Sequence, residues 1–196
     1  ISGVLKQTEG EVIVDGISLS EDPIAAKKLI GFLPQHAPLH PDTTVEEYLT
    51  NCGRLRKIPG SDLKAAVNEV MDKVSLSHFS KRLIRNLSGG YQQRVGIAQA
   101  IIHKPALIIL DEPTNGLDPN QIIEVRKLVK DIAKERAVIF STHILTEVHA
   151  ICDHILMIDR GKLVFSGKTQ EFDEYLKPDT LFVRLLSAPP TEEPMT

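Results

Sequence analysis

Hydrophobic positions change their period twice along this chain, and the changes mark the elements. Glu11-Val12-Ile13-Val14 reads as a strand running into the turn Asp15-Gly16, and Ile30-Gly31-Phe32-Leu33-Pro34 as a second short strand. Between them Ala25–Leu29 has the length of about one helical turn. The period then becomes helical. Thr43 with Glu46, and Thr44 with Glu47, are two overlapping capping boxes that start a helix. Pro59-Gly60 breaks the chain, after which Leu63, Val67, Val70, Met71 and Val74 recur on one helical face. A third helix is expected from Gly89 to about His103.

Beyond His103 the pattern alternates between strand and helix. Ala106–Leu110 is a continuous apolar run of strand length, as in a sheet covered on both faces. Asp118-Pro119 places an N-cap acid before a proline at the first helical position. Ile122, Val125, Leu128 and Val129 carry that helix to about Lys134. Ala137–Ser141 is a strand, Leu145–Ile151 a short helix and Ile155–Ile158 a strand. Asp159–Lys162 turns the chain into Leu163-Val164-Phe165, closing a hairpin. Strands alternating with helices predict an α/β fold with a mainly parallel sheet. The block between about His36 and Arg94 is a helical insertion in it. The proline-rich stretch Ser187–Pro194 is expected to be disordered. There is no internal repeat.

Composition adds exclusions. The length of 196 residues suits one ordinary domain, and 42% hydrophobic with 25% charged residues is a globular composition. A formal net charge of -3 gives no reason to expect nucleic acid as partner. No apolar run approaches the ~18 residues of a membrane span. Ile1–Lys6 lack the charged start and apolar stretch of a signal peptide. Cys52 and Cys152 lie far apart, form no C-x-x-C, and read as reduced thiols of a cytosolic protein.

The candidate chemistry begins with Asp111-Glu112, two acids at the end of a buried strand. Ligands of open α/β sheets bind beyond the carboxyl ends of the strands. An isolated acid pair is more simply a helix cap or a surface ion pair. Upstream, Ser88-Gly89-Gly90 starts a helix with two glycines that weaken it by roughly 1 kcal/mol each relative to alanine. Such a bare start can serve as an anion site, although a flexible loop explains it as well. Asp118 caps its helix whatever else it does. His143 follows the strand Ala137–Ser141 and stands where it can share a site with Glu112. Gln35 ends another strand and can present an oxygen to a cation.

The strings LSGGYQQR, LIILDEPTNGLD and STH, in this order and spacing, resemble the nucleotide-binding domain of ATP-binding cassette (ABC) proteins, over nearly the whole chain to about Lys177. The resemblance implies a P-loop NTPase (RecA-like) fold with an inserted helical subdomain at 37–94. Residues 1–36 and 95–177 would form the catalytic core, and 178–196 a C-terminal extension. It also implies ATP and Mg²⁺ as cofactors. Asp111 would hold Mg²⁺ through water, with Gln35 reaching the same ion. Glu112 would be the general base that polarises water, and His143 would contact the γ-phosphate. Ser88, Gly89 and Gly90, with Gln92 beside them, would bind nucleotide held by a second copy of the domain, and Asp118 would lie at that dimer interface. In place of Gln99 many members carry arginine, which leaves any ion pair there in doubt.

One expected motif is missing from these residues. The P-loop pattern G-x-x-x-x-G-K-[ST] does not occur. Gly161–Thr169 has one residue too many between its glycines and falls on a strand. An N-terminal truncation is therefore expected, with weak or absent ATP binding and a less stable sheet in the fragment. The resemblance is to the export branch, so the expected function is that of an ATPase subunit powering a separate membrane permease from the cytoplasmic face. Two alternatives stay open: a soluble cassette ATPase acting on ribosomes or DNA, and a non-catalytic binding module.

Overall fold

The computed structural model describes residues 1–175; the expected extension at 178–196 and its disorder lie outside them. The chain divides into two units, one spanning residues 1–152 and one beginning at Asp153, where length alone suggested a single domain.

The first unit opens with a hairpin, β1 (Ile13–Val14) and β2 (Ile17–Ser18). Asp15 and Gly16 both take positive φ, 49° and 77°, as a two-residue hairpin turn requires. Helix α1 (Pro23–Lys28) is capped by Asp22, which accepts from the Ala25 amide. Next comes β3 (Ile30–Leu33), then the helical block: α2 (Val45–Leu55), α3 (Gly60–Lys73) and α4 (Gly89–Ile101). Of the two possible capping boxes, only Thr44 with Glu47 forms; Thr43 instead donates its hydroxyl to the His40 carbonyl. The chain then runs through β4 (Leu107–Asp111), α5 (Pro119–Ala133), β5 (Ala137–Ser141) and α6 (Leu145–Ile151).

Strands β3, β4 and β5 form one parallel sheet in that order, the α/β fold expected from the alternation. The register pairs Leu33 with Leu110 and Asp111 with Ser141, so the carboxyl ends of all three strands lie on one edge. One face of the sheet is sealed. Ile108 and Leu110 are buried and join one core with Leu63, Val67, Val70, Met71 and Val74 of the helical block. The other face is only half covered. Phe32 and Ile109 are partly exposed, and Ile139 beside them is 38% exposed. The continuous apolar run of β4 had suggested cover on both faces, but apolar content alone does not specify what packs against it.

The edge of β3 away from β4 is closed by side chains. The Leu107 amide bonds the Leu29 carbonyl, so alternate carbonyls, those of Ile30 and Phe32, point to the free edge. Gln99 Nε2 donates to the Phe32 carbonyl at 2.8 Å. Arg56 Nη1 at 3.3 Å and His103 Nε2 at 3.2 Å both meet the Ile30 carbonyl. Gln99 thus has a partner of its own where the family pattern suggested a guanidinium. Gly31 is needed here because a Cβ would stand 2.1 Å from the Ala100 carbonyl oxygen of α4.

The second unit holds β6 (His154–Asp159), β7 (Lys162–Lys168) and α7 (Thr169–Tyr175). β6 and β7 form the expected hairpin as a separate antiparallel sheet. Phe172 is buried against Phe165. Gly167 and Lys168 lie within β7, so the near-match to a P-loop is a strand, not a phosphate-binding loop.

Candidate functional site

The carboxyl ends of β4 and β5 bring the two acids and the histidine together. Ser141 Oγ donates to Asp111 Oδ1, which fixes that carboxylate at the end of β4. The Glu112 amide donates to the Ser141 carbonyl at 3.1 Å, turning the chain across the end of β5. This places Glu112 at φ 48°, in the left-handed region that a glutamate rarely occupies. Lys57, Ser75, Lys104 and Arg160 take the same region away from this edge, so the conformation turns the chain here without by itself marking function. His143 Nδ1 then lies 2.8 Å from Glu112 Oε1.

The two side chains differ in environment. His143 is 70% exposed and Glu112 only 19%. The hydrogen bond to Glu112, followed by its negative charge, holds the imidazole above its ordinary pKa. Glu112 Oε2 is buried and has no hydrogen-bond partner among the described residues. His103 Nδ1, Arg126 Nε and Glu147 Oε1 are buried and unpartnered in the same way, so this feature by itself marks no ligand site.

Gln35 stands two residues past the end of β3, exposed, on the same carboxyl edge as Asp111 and Ser141. Residues 35, 111, 112 and 143 thus lie at or just past the carboxyl ends of neighbouring strands, and among them Glu112 and His143 are in direct contact. Among the described residues no group of three or more His, Cys, Asp or Glu side chains could hold a metal unaided. One carboxylate and an amide oxygen do suit Mg²⁺, which usually takes one or two protein ligands and completes its shell with water and phosphate.

The glycine-rich helix start forms a second cluster. Ser88 occupies the N-cap position of α4, yet its side chain makes no capping bond, and Ser88 and Gly89 are exposed. Gly90 is buried against α5, where a Cβ would meet the Gln121 side chain at 2.5 Å. Asp118 caps α5 as expected, accepting from the amides of Asn120 and Gln121 at 3.0 Å each. So Gly90 and Asp118 both border the first turn of α5. Gln92 is turned inward: its Nε2 donates to the Ile84 and Leu87 carbonyls at 3.2 and 3.1 Å, holding the segment that leads into Ser88.

The sequence reading missed one residue near this edge. Glu147 of α6 is fully buried, and its carboxylate receives hydroxyls from Thr114 and Thr142. The signal was present: Glu147 lies on the inward stripe Ile144, Val148, Ile151, where a buried acid needs partners.

A parallel sheet with two acids and a histidine on its carboxyl edge, joined to a helical block with a bare glycine start, is the architecture of an ATP-binding cassette. Residues 1–115 of the 196 match the family model described as ABC transporter, and the chain belongs to that family. It is 34% identical over 174 residues to the ABC transporter ATP-binding protein YxlF of Bacillus subtilis, covering 89% of this chain and 57% of that protein. It is 38% identical over 164 residues to the bacitracin transport ATP-binding protein BcrA of Bacillus licheniformis, covering 83% and 53%. The chain thus spans little more than half the length of these relatives. Among solved structures it superposes on cbiO1 of Clostridium perfringens, part of the ABC transporter complex cbiONQ, with a TM-score of 0.80 at 26% identity, covering 88% of this chain and 71% of that one.

Proposed function

We propose that the whole protein is the ATP-hydrolysing subunit of an ABC transporter, and that this chain carries its water-activating edge. The observation that carries the reading is Glu112. It is held at positive φ beside Asp111, with one carboxylate oxygen on His143 and the other buried without a partner among the described residues.

The chemistry follows from these positions. Mg²⁺, when bound, neutralises charge on the nucleotide phosphates. Asp111 presents the carboxylate oxygen that Ser141 leaves open, and Gln35 adds an amide oxygen. The Glu112 carboxylate, held in place by His143 Nδ1, accepts a proton from the attacking water. His143 keeps Nδ1 on Glu112 and offers its other ring nitrogen to the γ-phosphate. Ser88, Gly89 and Gly90 offer a hydroxyl and exposed backbone to the nucleotide of a second copy. Gln92 stiffens that segment from behind, and Asp118 lies at the interface of the dimer. Residues 37–94 act as a helical subdomain between the core segments 1–36 and 95–152 of the first unit.

The partner is a separate membrane permease. No helix among the described residues is long and apolar enough to cross a membrane. The cbiO1 protein is part of a transporter complex, which supports a subunit arrangement. Two relatives are named for bacitracin transport and linearmycin resistance, which supports export and a place on the cytoplasmic face of the membrane. The chain alone has no G-x-x-x-x-G-K-[ST] to cradle a triphosphate and so holds ATP weakly.

Phosphate release from MgATP by the whole protein tests this reading. Glu112→Gln keeps the shape and removes the base, and slows release by about 10²–10⁴-fold. An unchanged rate in that variant, or no release by the unaltered protein, would overturn the enzymatic reading. Purification of the whole protein without any integral membrane subunit would point instead to an ATPase acting on ribosomes or DNA.

A further inference from the structure

We infer that Glu147 is a positioning residue that ties the Glu112 loop to the His143 loop. The inference rests on the proposed role of these two residues in hydrolysis. Glu147 Oε2 accepts the Thr114 hydroxyl at 2.7 Å and the Thr142 hydroxyl at 3.0 Å. Thr114 is two residues after Glu112, and Thr142 immediately precedes His143. The side chains of Glu112 and His143 meet at 2.8 Å. The path from Glu112 through Thr114, Glu147, Thr142 and His143 back to Glu112 is therefore a closed ring.

This ring is built at a cost that packing alone would not need. Burying a carboxylate costs several kcal/mol unless it is paired and hydrogen-bonded. Glu147 is fully buried on the inward stripe of α6, where an aliphatic side chain would fill the same space. Its second oxygen, Oε1, has no hydrogen bond among the described residues and lies 3.5 Å from the Arg126 guanidinium. Arg126 is on α5, so three segments meet at the carboxylate that α6 carries. Thr142 does double duty: while donating to Glu147, its oxygen accepts the Ile144 amide at 3.1 Å. That fixes the backbone on both sides of His143, whose own side chain is 70% exposed. The position of the imidazole is thus set from behind by the backbone. Glu147 touches neither water nor phosphate in this scheme; it acts through the two loops.

The test uses the whole protein with two readouts, amide hydrogen exchange and steady-state kinetics with MgATP. In Glu147→Gln, amides of residues 112–117 and of 141–145 lose protection together, while amides of the helical block do not. The variant and Thr142→Val each lower kcat by about 10²-fold with KM held within about threefold, because misplacing a reacting group acts on turnover rather than binding. Thr142→Ser keeps the hydroxyl and restores both readouts. Should Glu147→Gln not fold, the Thr142→Val and Thr142→Ser pair decides. Loss of protection confined to one loop, or spread over the whole molecule, would overturn the ring, as would an unchanged kcat in folded Thr142→Val. If the unaltered protein hydrolyses no ATP, the proposed function fails, and exchange in the two loops still decides whether Glu147 joins them.

Discussion

Two histidines, His103 on the closed edge of β3 and His143 at the carboxyl end of β5, are driven in opposite directions. Burial, and then the charge of Arg56, pushes His103 down to about 4. Its ring stays neutral and joins Arg56 at the Ile30 carbonyl, while Gln99 meets that of Phe32. His143 is exposed, and Glu112 raises its pKa. The closed edge settles its two strand carbonyls within the protein, although His103 Nδ1 is buried there without a hydrogen-bond partner among the described residues. The carboxyl end keeps a strained glutamate, a buried oxygen without a partner among the same residues and a histidine facing solvent. Side chains lock the edge of β3, whereas the carboxyl end leaves the His143 imidazole open to solvent.

The largest break in this contrast comes from neighbours in one strand. Leu110→Ala empties a fully buried site and costs about 2–5 kcal/mol, measured by denaturant unfolding of the whole protein. Asp111→Asn, one residue on, leaves the fold stable because its side chain lies at the strand end. Next in size is Gln99→Ala. It strips the donor from the Phe32 carbonyl and costs about 1–3 kcal/mol in the same assay. Glu112→Gly goes the other way. Glycine accepts positive φ freely, so relief of strain makes the variant more stable by roughly 0.5–1 kcal/mol, while phosphate release stops. A loss of stability in this variant would show that Glu112 is not strained.

The smallest effects are titrations, read by NMR. His143 titrates above the ordinary imidazole value and falls back in Glu112→Gln. Its raised pKa contributes stability at low pH, and that contribution is lost as pH rises through the folded value. His103 has the opposite sign. The unfolded chain takes up a proton below about 6.5 and the folded ring does not until about 4. Stability therefore declines as pH falls through that window. The same downward direction for both histidines would erase the contrast.

Much of this was legible in the sequence because local rules decide it. The Thr44–Glu47 box, the Asp118-Pro119 start and the stripe from Leu63 to Val74 are each set by a few neighbouring residues, and each forms. The meeting of Glu112 with His143 was legible because parallel strands share a carboxyl edge. What escaped depends on distant partners. Gln99 reads as an ordinary polar helix residue until the Phe32 carbonyl appears beside it. Gln92, expected near nucleotide, spends its amide on Ile84 and Leu87. Glu147 lies on the inward stripe of its helix, but the partners that hold it, Thr114 and Thr142, come from other segments. The half-covered face of β4 escaped because an apolar run looks the same with one layer against it or two.

A double-mutant cycle on MgATP hydrolysis by the whole protein tests the central claim most directly, using Glu112→Gln, His143→Ala and the pair. If both side chains act on one water, the pair is no slower than the worse single variant, since groups acting as a unit are not additive. Losses that multiply in the pair would mean that Glu112 and His143 act independently, contradicting the shared site.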